Sequence, residues 1–215
     1  MKINPKDLDW YNSHELLTNI ITPRPIAFVS TIGSDGVYNL APYSYFTAIC
    51  NTPMIVGFSQ GRKSKGQKKD TLVNIENNKE FVIAVVTEDI AEAMVKTARP
   101  YPIDVDEFQE TRLTPAAADR VKPPLLAESP INMECRLVQI LEFGKAPRQN
   151  SFVIGEILRV HIKDEYLADN ELQPQKLKVI GRLGGHGKMY CRTTDLFNIQ
   201  RSKWLDVARK ESEKE

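Results

Sequence analysis

A chain of 215 residues with 41% hydrophobic and 27% charged residues has the material for one large globular domain or two small ones, and little disorder is expected away from the ends. Its formal net charge of +1 lacks the basic excess of a polyanion-binding surface, which argues against nucleic acid as a partner. No apolar run approaches the ~20 residues that span a bilayer, and Met1-Lys-Ile-Asn-Pro-Lys-Asp lacks a signal peptide's apolar stretch, so no membrane association is expected and the expected compartment is cytoplasmic.

Taken in chain order, Ile26 to Thr31 is a short apolar, β-branched run, Gly33-Ser-Asp-Gly36 supplies turn chemistry, and Val37-Tyr-Asn-Leu40 resumes an extended pattern. Together they predict a hairpin. Met54 to Ser59 and Phe81 to Val86 have the length and content of strands, and between them Asp70 is placed to cap a helix over Thr71 to Asn77. Thr87 is the expected cap of a second helix, with Ile90, Met94 and Ala98 on one face and acids in its first turn. Residues 99–130 hold much of the proline and little strand periodicity, which predicts a long loop with one helical turn over Pro115 to Asp119. Connections of that length are often functional. Asn132 to Leu141 and Phe152 to Ile162 alternate apolar with polar residues and read as neighbouring antiparallel strands, while the charged end at about 203–215 reads as a frayed helix or tail. Many strands at hairpin spacing with few helices predict a mainly β domain, an antiparallel barrel with peripheral helices. It is expected to be one domain over 1–215 with its core at about 15–195. No Gly-x-Gly-x-x-Gly follows a strand, which excludes the doubly wound dinucleotide fold.

The chemistry-bearing residues gather in the first third of the chain. A phosphate needs directed N–H and O–H donors and a cation, and a helix start preceded by lysines offers both. Ser59, Lys68, Lys69, Thr71 and the amides near Asp70 fit that description, as does the plainer alternative of a solvated basic loop with an ordinary Asp cap. A flat heteroaromatic ring needs apolar faces and polar groups at its edge, which Asn39, Ala41, Tyr43 and Ser44 can supply from a barrel rim with Thr31 on the neighbouring strand. The alternative is that Pro42 breaks a strand while Tyr43, Tyr45 and Phe46 pack a core. Side by side, the two segments suggest a flavin site.

Other candidates are weaker. Gly181-Arg-Leu-Gly-Gly-His-Gly-Lys-Met-Tyr190 allows close backbone approach and sets His186 beside a flexible chain, where it either touches a ligand or belongs to a surface loop. His14 and His161 receive no role, and histidines so scattered do not predict a metal site. Cys50, Cys135 and Cys191 lack CxxC spacing and are expected as buried, reduced thiols. There is no Gly-x-Ser-x-Gly elbow, and Asp104, Asp106 and Glu107 in a proline-flanked stretch read as a solvated charge cluster.

The segments Thr22-Pro-Arg-Pro-Ile-Ala-Phe-Val-Ser-Thr31, Asp35-Gly36, Asn39-Leu-Ala-Pro-Tyr-Ser-Tyr-Phe46, Gly57-Phe-Ser59 and Lys69-Asp-Thr-Leu-Val-Asn-Ile75 resemble, in order and spacing, the flavin reductase-like family of FMN-binding split barrels. That family includes flavoredoxins and reductase components of two-component monooxygenases. The likeness is strong to about Val86 and resumes more loosely over Ser151 to Glu156 and Gly181 to Tyr190. It implies a six-stranded antiparallel Greek-key split β-barrel, a homodimer, and FMN bound near the subunit interface. Carried over by position, Thr31, Asn39, Ala41 and Ser44 would line the isoalloxazine and ribityl, Ser59, Lys69, Asp70 and Thr71 would border the phosphate, and Tyr190 would lie close to the flavin. The implied activity is an NAD(P)H:flavin reductase, using NADH or NADPH, with a monooxygenase or another redox protein as a possible partner. The alternative is a flavoredoxin-type electron carrier with a protein donor. Neither form calls for a catalytic acid or base, because the cofactor carries the hydride chemistry.

Overall fold

The computed structural model describes residues 1–185 and 189–199; His186 and the charged tail at 203–215 lie outside them. Strands β1 (Ala27–Ile32), β2 (Tyr38–Tyr43), β3 (Tyr45–Asn51), β4 (Met54–Gln60) and β5 (Glu80–Val85) fill the first part of the chain. Beyond them lie β6 (Pro115–Ala116), β7 (Leu125–Leu126), β8 (Ile131–Phe143) and β9 (Asn150–Ile162). Helices α1 (Trp10–Ile20), α2 (Asp70–Asn78), α3 (Ala91–Thr97) and α4 (Glu107–Thr111) lie around them. Among the described residues no helix is long and apolar enough to cross a membrane.

The expected hairpin is β1 and β2, closed where Gly33 N donates to Val37 O at 2.8 Å and where Gly36 takes a φ of +86° that favours glycine. The main sheet is antiparallel with seven strands in the order β2-β1-β5-β8-β9-β4-β3. Its two edge strands, β2 and β3, are separated in the chain by Ser44 alone, so the sheet must curl until its edges meet. Counting that bent strand once gives the six-stranded split barrel that the resemblance implies. Bulges in the long β8–β9 ladder, at Glu134/Cys135 and Leu137/Gln139, add the twist that this curl needs.

Both faces of β1 are covered, which explains why Ile26 to Val29 carry no polar residue. Inside the barrel Phe58 stacks on Tyr43 at 5.1 Å and meets Phe81 edge-on at 5.8 Å, while α2 closes one end with Leu72 and Ile75. Outside it, Phe28 and Leu40 pack under Met94 of α3 and Phe108 of α4.

The structure corrects several local expectations. Lys69, not Asp70, holds the cap position of α2, and no side chain caps the helix. Asp70 is its first residue and takes Lys63 Nζ at 2.7 and 2.8 Å, because the basic loop competes for the carboxylate. Thr87 likewise caps without a side-chain hydrogen bond, and a short 3-10 turn, Glu88–Ile90, precedes α3. The buried face of that helix is Ile90, Met94 and Thr97, with Ala98 exposed. In the 99–130 stretch the helix is α4 and not 115–119. Asp106 caps it, accepting from Phe108 N at 2.8 Å, and Phe108 anchors it in the core, whereas the alanines after Pro115 have no side chain large enough to do so. Cys135 is buried as expected, but Cys50 is exposed on the outer strand β3.

Candidate functional site

The cluster that builds the site starts from Thr71 in the first turn of α2. Its hydroxyl oxygen accepts from Asn39 Nδ2 at 2.9 Å and from the Tyr43 phenol at 2.8 Å. Asn39 Nδ2 also reaches Thr31 Oγ1 at 3.1 Å, and Asn74 Nδ2 donates to the same Thr31 oxygen at 3.0 Å. All of these side chains are buried, so the network ties β1, β2 and α2 into one rigid corner. Burial raises the Tyr43 phenol well above its ordinary value, so it stays a neutral donor. Asn74 was not singled out in the sequence, although it sits three residues after Thr71 on the same helix face. Replacing Thr71 with valine keeps the shape and removes the shared acceptor, stranding two buried donors. The expected result is a loss of about 1–3 kcal/mol in unfolding free energy, read by urea denaturation; an unchanged midpoint would show that the network does not hold this corner.

Beside the corner lies a cleft of ≈ 590 Å³, bordered by Asn39, Ala41, Lys69, Asp70 and Thr71 from the predicted set. Lys69 leans over the Tyr43 ring, its Nζ 5.3 Å from the centroid, and makes no salt bridge among the described residues. Burial, and secondarily the charge of Lys63, lower its pKa. It is a half-sheltered cation without a carboxylate partner. The cleft is also bordered by Ala98, which the sequence placed on the apolar face of the second helix, and by Arg99, Pro100 and Tyr101, from the stretch it read as a long loop.

The remaining predicted residues fall elsewhere. Ser44, at the bend between β2 and β3, lines a second cavity of ≈ 620 Å³ with Tyr190, Arg182, Ile26 and Met94. That cavity adjoins the first, sharing Pro42, Ala98 and Arg99. Ser59 faces a third, apolar pocket with Ser44, Leu17, Phe46 and Phe152, away from Lys69. Thr31 is fully buried behind Asn39 and reaches the cleft only through its hydrogen bonds. Tyr190 lies under the Arg182 guanidinium, 4.8 Å from its ring centroid, in the strand Tyr190–Arg192 that pairs with Ile180–Arg182. The close approach anticipated for the glycine segment is made to the protein itself: a Cβ on Gly184 would lie 2.4 Å from Thr18 O of α1.

One residue was read as solvated and is not. Glu107 is 6% exposed, lines the first cleft, and its Oε2 accepts from Leu40 N at 3.0 Å, covering the open edge of β2. Burial, reinforced by the charges of Asp70 and Asp106 and opposed by the Leu40 amide, pushes its pKa up to about 7. No local signal in the sequence marks Glu107, because its partner, Leu40 N, is distant in the chain.

Fitted against a flavin, the adjoining cavities offer an unpaired amine where a phosphate needs one, and Pro42, Ile26, Met94 and Tyr190 where a ring needs apolar cover. Each volume falls within the ~300–1,000 Å³ of small-molecule sites. Comparison with known proteins points the same way. A family model described as "Flavin reductase like domain" matches residues 20–181. Nitrilotriacetate monooxygenase component B from Bacillus cereus is 31% identical, with a TM-score of 0.87 over 93% of this chain and 98% of its own. The 2-nitrobenzoate 2-nitroreductase NbaA of Pseudomonas fluorescens is 30% identical, with a TM-score of 0.85 over 95% of this chain and 98% of its own. An uncharacterized protein of Aquifex aeolicus is 34% identical over 187 residues, 86% of this chain and 93% of that one.

Proposed function

Because the chain belongs to the flavin reductase-like family, we propose that it binds FMN along the adjoining cavities and acts as an NAD(P)H-dependent flavin reductase. The observation that carries the reading is Lys69, a sheltered amine with no carboxylate partner among the described residues, at the start of α2 and at the mouth of a cleft. Lys69 holds the phosphate, assisted by the first backbone amides of the helix. Asp70 keeps Lys63 beside it, and the Thr31–Asn39–Thr71 network keeps the wall from yielding. Ala41, Pro42, Ser44 and Tyr190 border the ring, with Arg182 fixed over Tyr190.

When bound, a flavin would supply the electronic chemistry of hydride transfer from a nicotinamide. What remains for the protein is to hold both rings in register and to set the charge around them. The similarity to a monooxygenase component B supports a role in delivering reduced flavin to a partner oxygenase. A second copy of the chain is a further proposed partner, supported by Ile49 and Met54 exposed around β3 and by the adjoining apolar pocket with Phe46 and Phe152.

The test is the visible spectrum of protein passed over a desalting column with excess FMN, then followed anaerobically on adding NADH or NADPH. Retained flavin that bleaches supports the reading; retained flavin that does not bleach indicates an electron carrier fed by a protein donor. Protein that neither retains FMN nor consumes nicotinamide with free flavin added sinks the proposal.

A further inference from the structure

We propose that Glu107 is a ligand-contacting residue that sets the charge preference of this cleft: neutral, it admits an anionic ligand such as the phosphate end of FMN, and ionised, it opposes one. The proposal rests on the flavin reading above. Its geometry is that of a group placed for a ligand. Glu107 lines the cleft with Asn39, Lys69 and Thr71, and one oxygen is fixed by Leu40 N at 3.0 Å. Apart from its own backbone amide, no other described residue hydrogen-bonds to the carboxyl, and Oε1 takes none from another side chain. Capping the strand edge takes only Oε2, so Oε1 carries no tie to another element that an entering ligand would have to break.

The surroundings decide which charge state is present. Acidic neighbours are Asp106 on the same helix and Asp70 on α2, both of which favour the neutral form. The cations bordering the cleft are Lys63, Lys65 and Lys69 from the loop before α2 and Arg99 beyond α3. Lys63 is engaged by Asp70. Tyr43 and Tyr101 are the other titratable groups bordering the cleft, while Glu92 and Lys96 of α3, and Glu110 of the same helix as Glu107, are exposed. Burial is the main cause of the shift of Glu107 toward neutrality, and Asp70 and Asp106 add to it. An arriving phosphate adds further negative charge and raises that pKa again, so binding takes up a proton. Affinity is then full below the free-protein pKa and falls as pH rises through it.

The experiment measures FMN and riboflavin dissociation constants for the full-length protein, Glu107→Gln and Glu110→Gln between pH 5.5 and 8.5. Glutamine keeps an acceptor for Leu40 N and cannot ionise. One unit of ligand-induced shift corresponds to about tenfold in affinity. The expected result is that Glu107→Gln binds FMN about tenfold more tightly than wild type at pH 8.5, equally at pH 5.5, and that riboflavin shows a much smaller difference. Because the FMN phosphate titrates near pH ~6 in every variant, the difference between wild type and Glu107→Gln isolates the carboxyl. Glu110→Gln should track wild type. Flavin binding with the same pH profile in wild type and Glu107→Gln, or an equal gain for riboflavin, overturns the proposal while leaving the flavin reading standing. No flavin bound by either protein at pH 5.5 overturns both. A readout that needs no ligand is the apoprotein's stability, which for wild type but not Glu107→Gln should fall as pH rises from the unfolded value through about 7; parallel stability curves would also overturn it.

Discussion

Replacing Lys69 with methionine should weaken FMN binding by about tenfold to a hundredfold, the equivalent of ~1.5–3 kcal/mol for a charge-assisted hydrogen bond, without weakening the fold. Methionine keeps the apolar stem against the Tyr43 ring and deletes the ammonium that lies 5.3 Å from its centroid. Burial already lowers the pKa of that ammonium, so its charged form is carried at a cost in the folded chain. Removing it should leave the melting temperature unchanged or higher. Calorimetric titration with FMN and with riboflavin separates the phosphate contribution from the ring, since only FMN can report the missing cation. Equal FMN affinity in wild type and variant would move the phosphate away from α2. Thr71 is a poorer probe, because its replacement strands the buried Asn39 and Tyr43 donors and confounds affinity with stability.

The strands and the site differ in how far the sequence exposes them. The β1–β2 hairpin and the β8–β9 pair are legible because each carries its own local signal, turn residues in one and long alternation in the other. Asn39, Ala41, Lys69 and Thr71 come together as the ordered segments suggest. Ser59 does not join them, because its neighbours across the β3–β4 and β4–β9 ladders turn it toward Phe152 and Leu17. Position along the chain cannot show which face of a curled strand a residue takes. Glu107 and the wall from Arg99 to Tyr101 were hidden for a different reason. The stretch 99–130 has no periodicity, and its order comes from distant partners: Leu40 for Glu107, and Glu134 for residues 119–121. Long-range hydrogen bonds to backbone leave no local pattern.

That last anchor leads to the other large expected effect, a loss of about 3 kcal/mol of stability in Glu134→Ala. Glu134 is fully buried on β8, and its carboxylate accepts from Asp119 N at 3.1 Å, Arg120 N at 2.5 Å and Val121 N at 3.0 Å. His161 Nε2 stands 2.5 Å from Oε1, and Arg159 pairs with Asp119 alongside. The ligand atoms of Asp119, Glu134 and His161 lie within 4.8 Å of one another, but both Glu134 oxygens are committed to these donors, so the cluster is a clasp for the excursion. Burial alone would raise the Glu134 pKa; the His161 contact and the backbone amides outweigh it and hold the carboxyl below its ordinary value. A depressed carboxyl contributes stability that is present above the unfolded pKa and lost as pH falls through the folded one. The gap between wild type and Glu134→Ala should therefore be full at neutral pH and shrink in acid. The excursion carries Glu107 and part of the cleft wall, so releasing it should also raise protease cleavage within 99–130 and weaken FMN binding. Glu134→Gln, which keeps the size and one acceptor, should fall between the two and serves where alanine prevents folding. Cleavage and FMN affinity that match wild type in a destabilised Glu134→Gln protein would separate the clasp from the cleft and confine its role to stability.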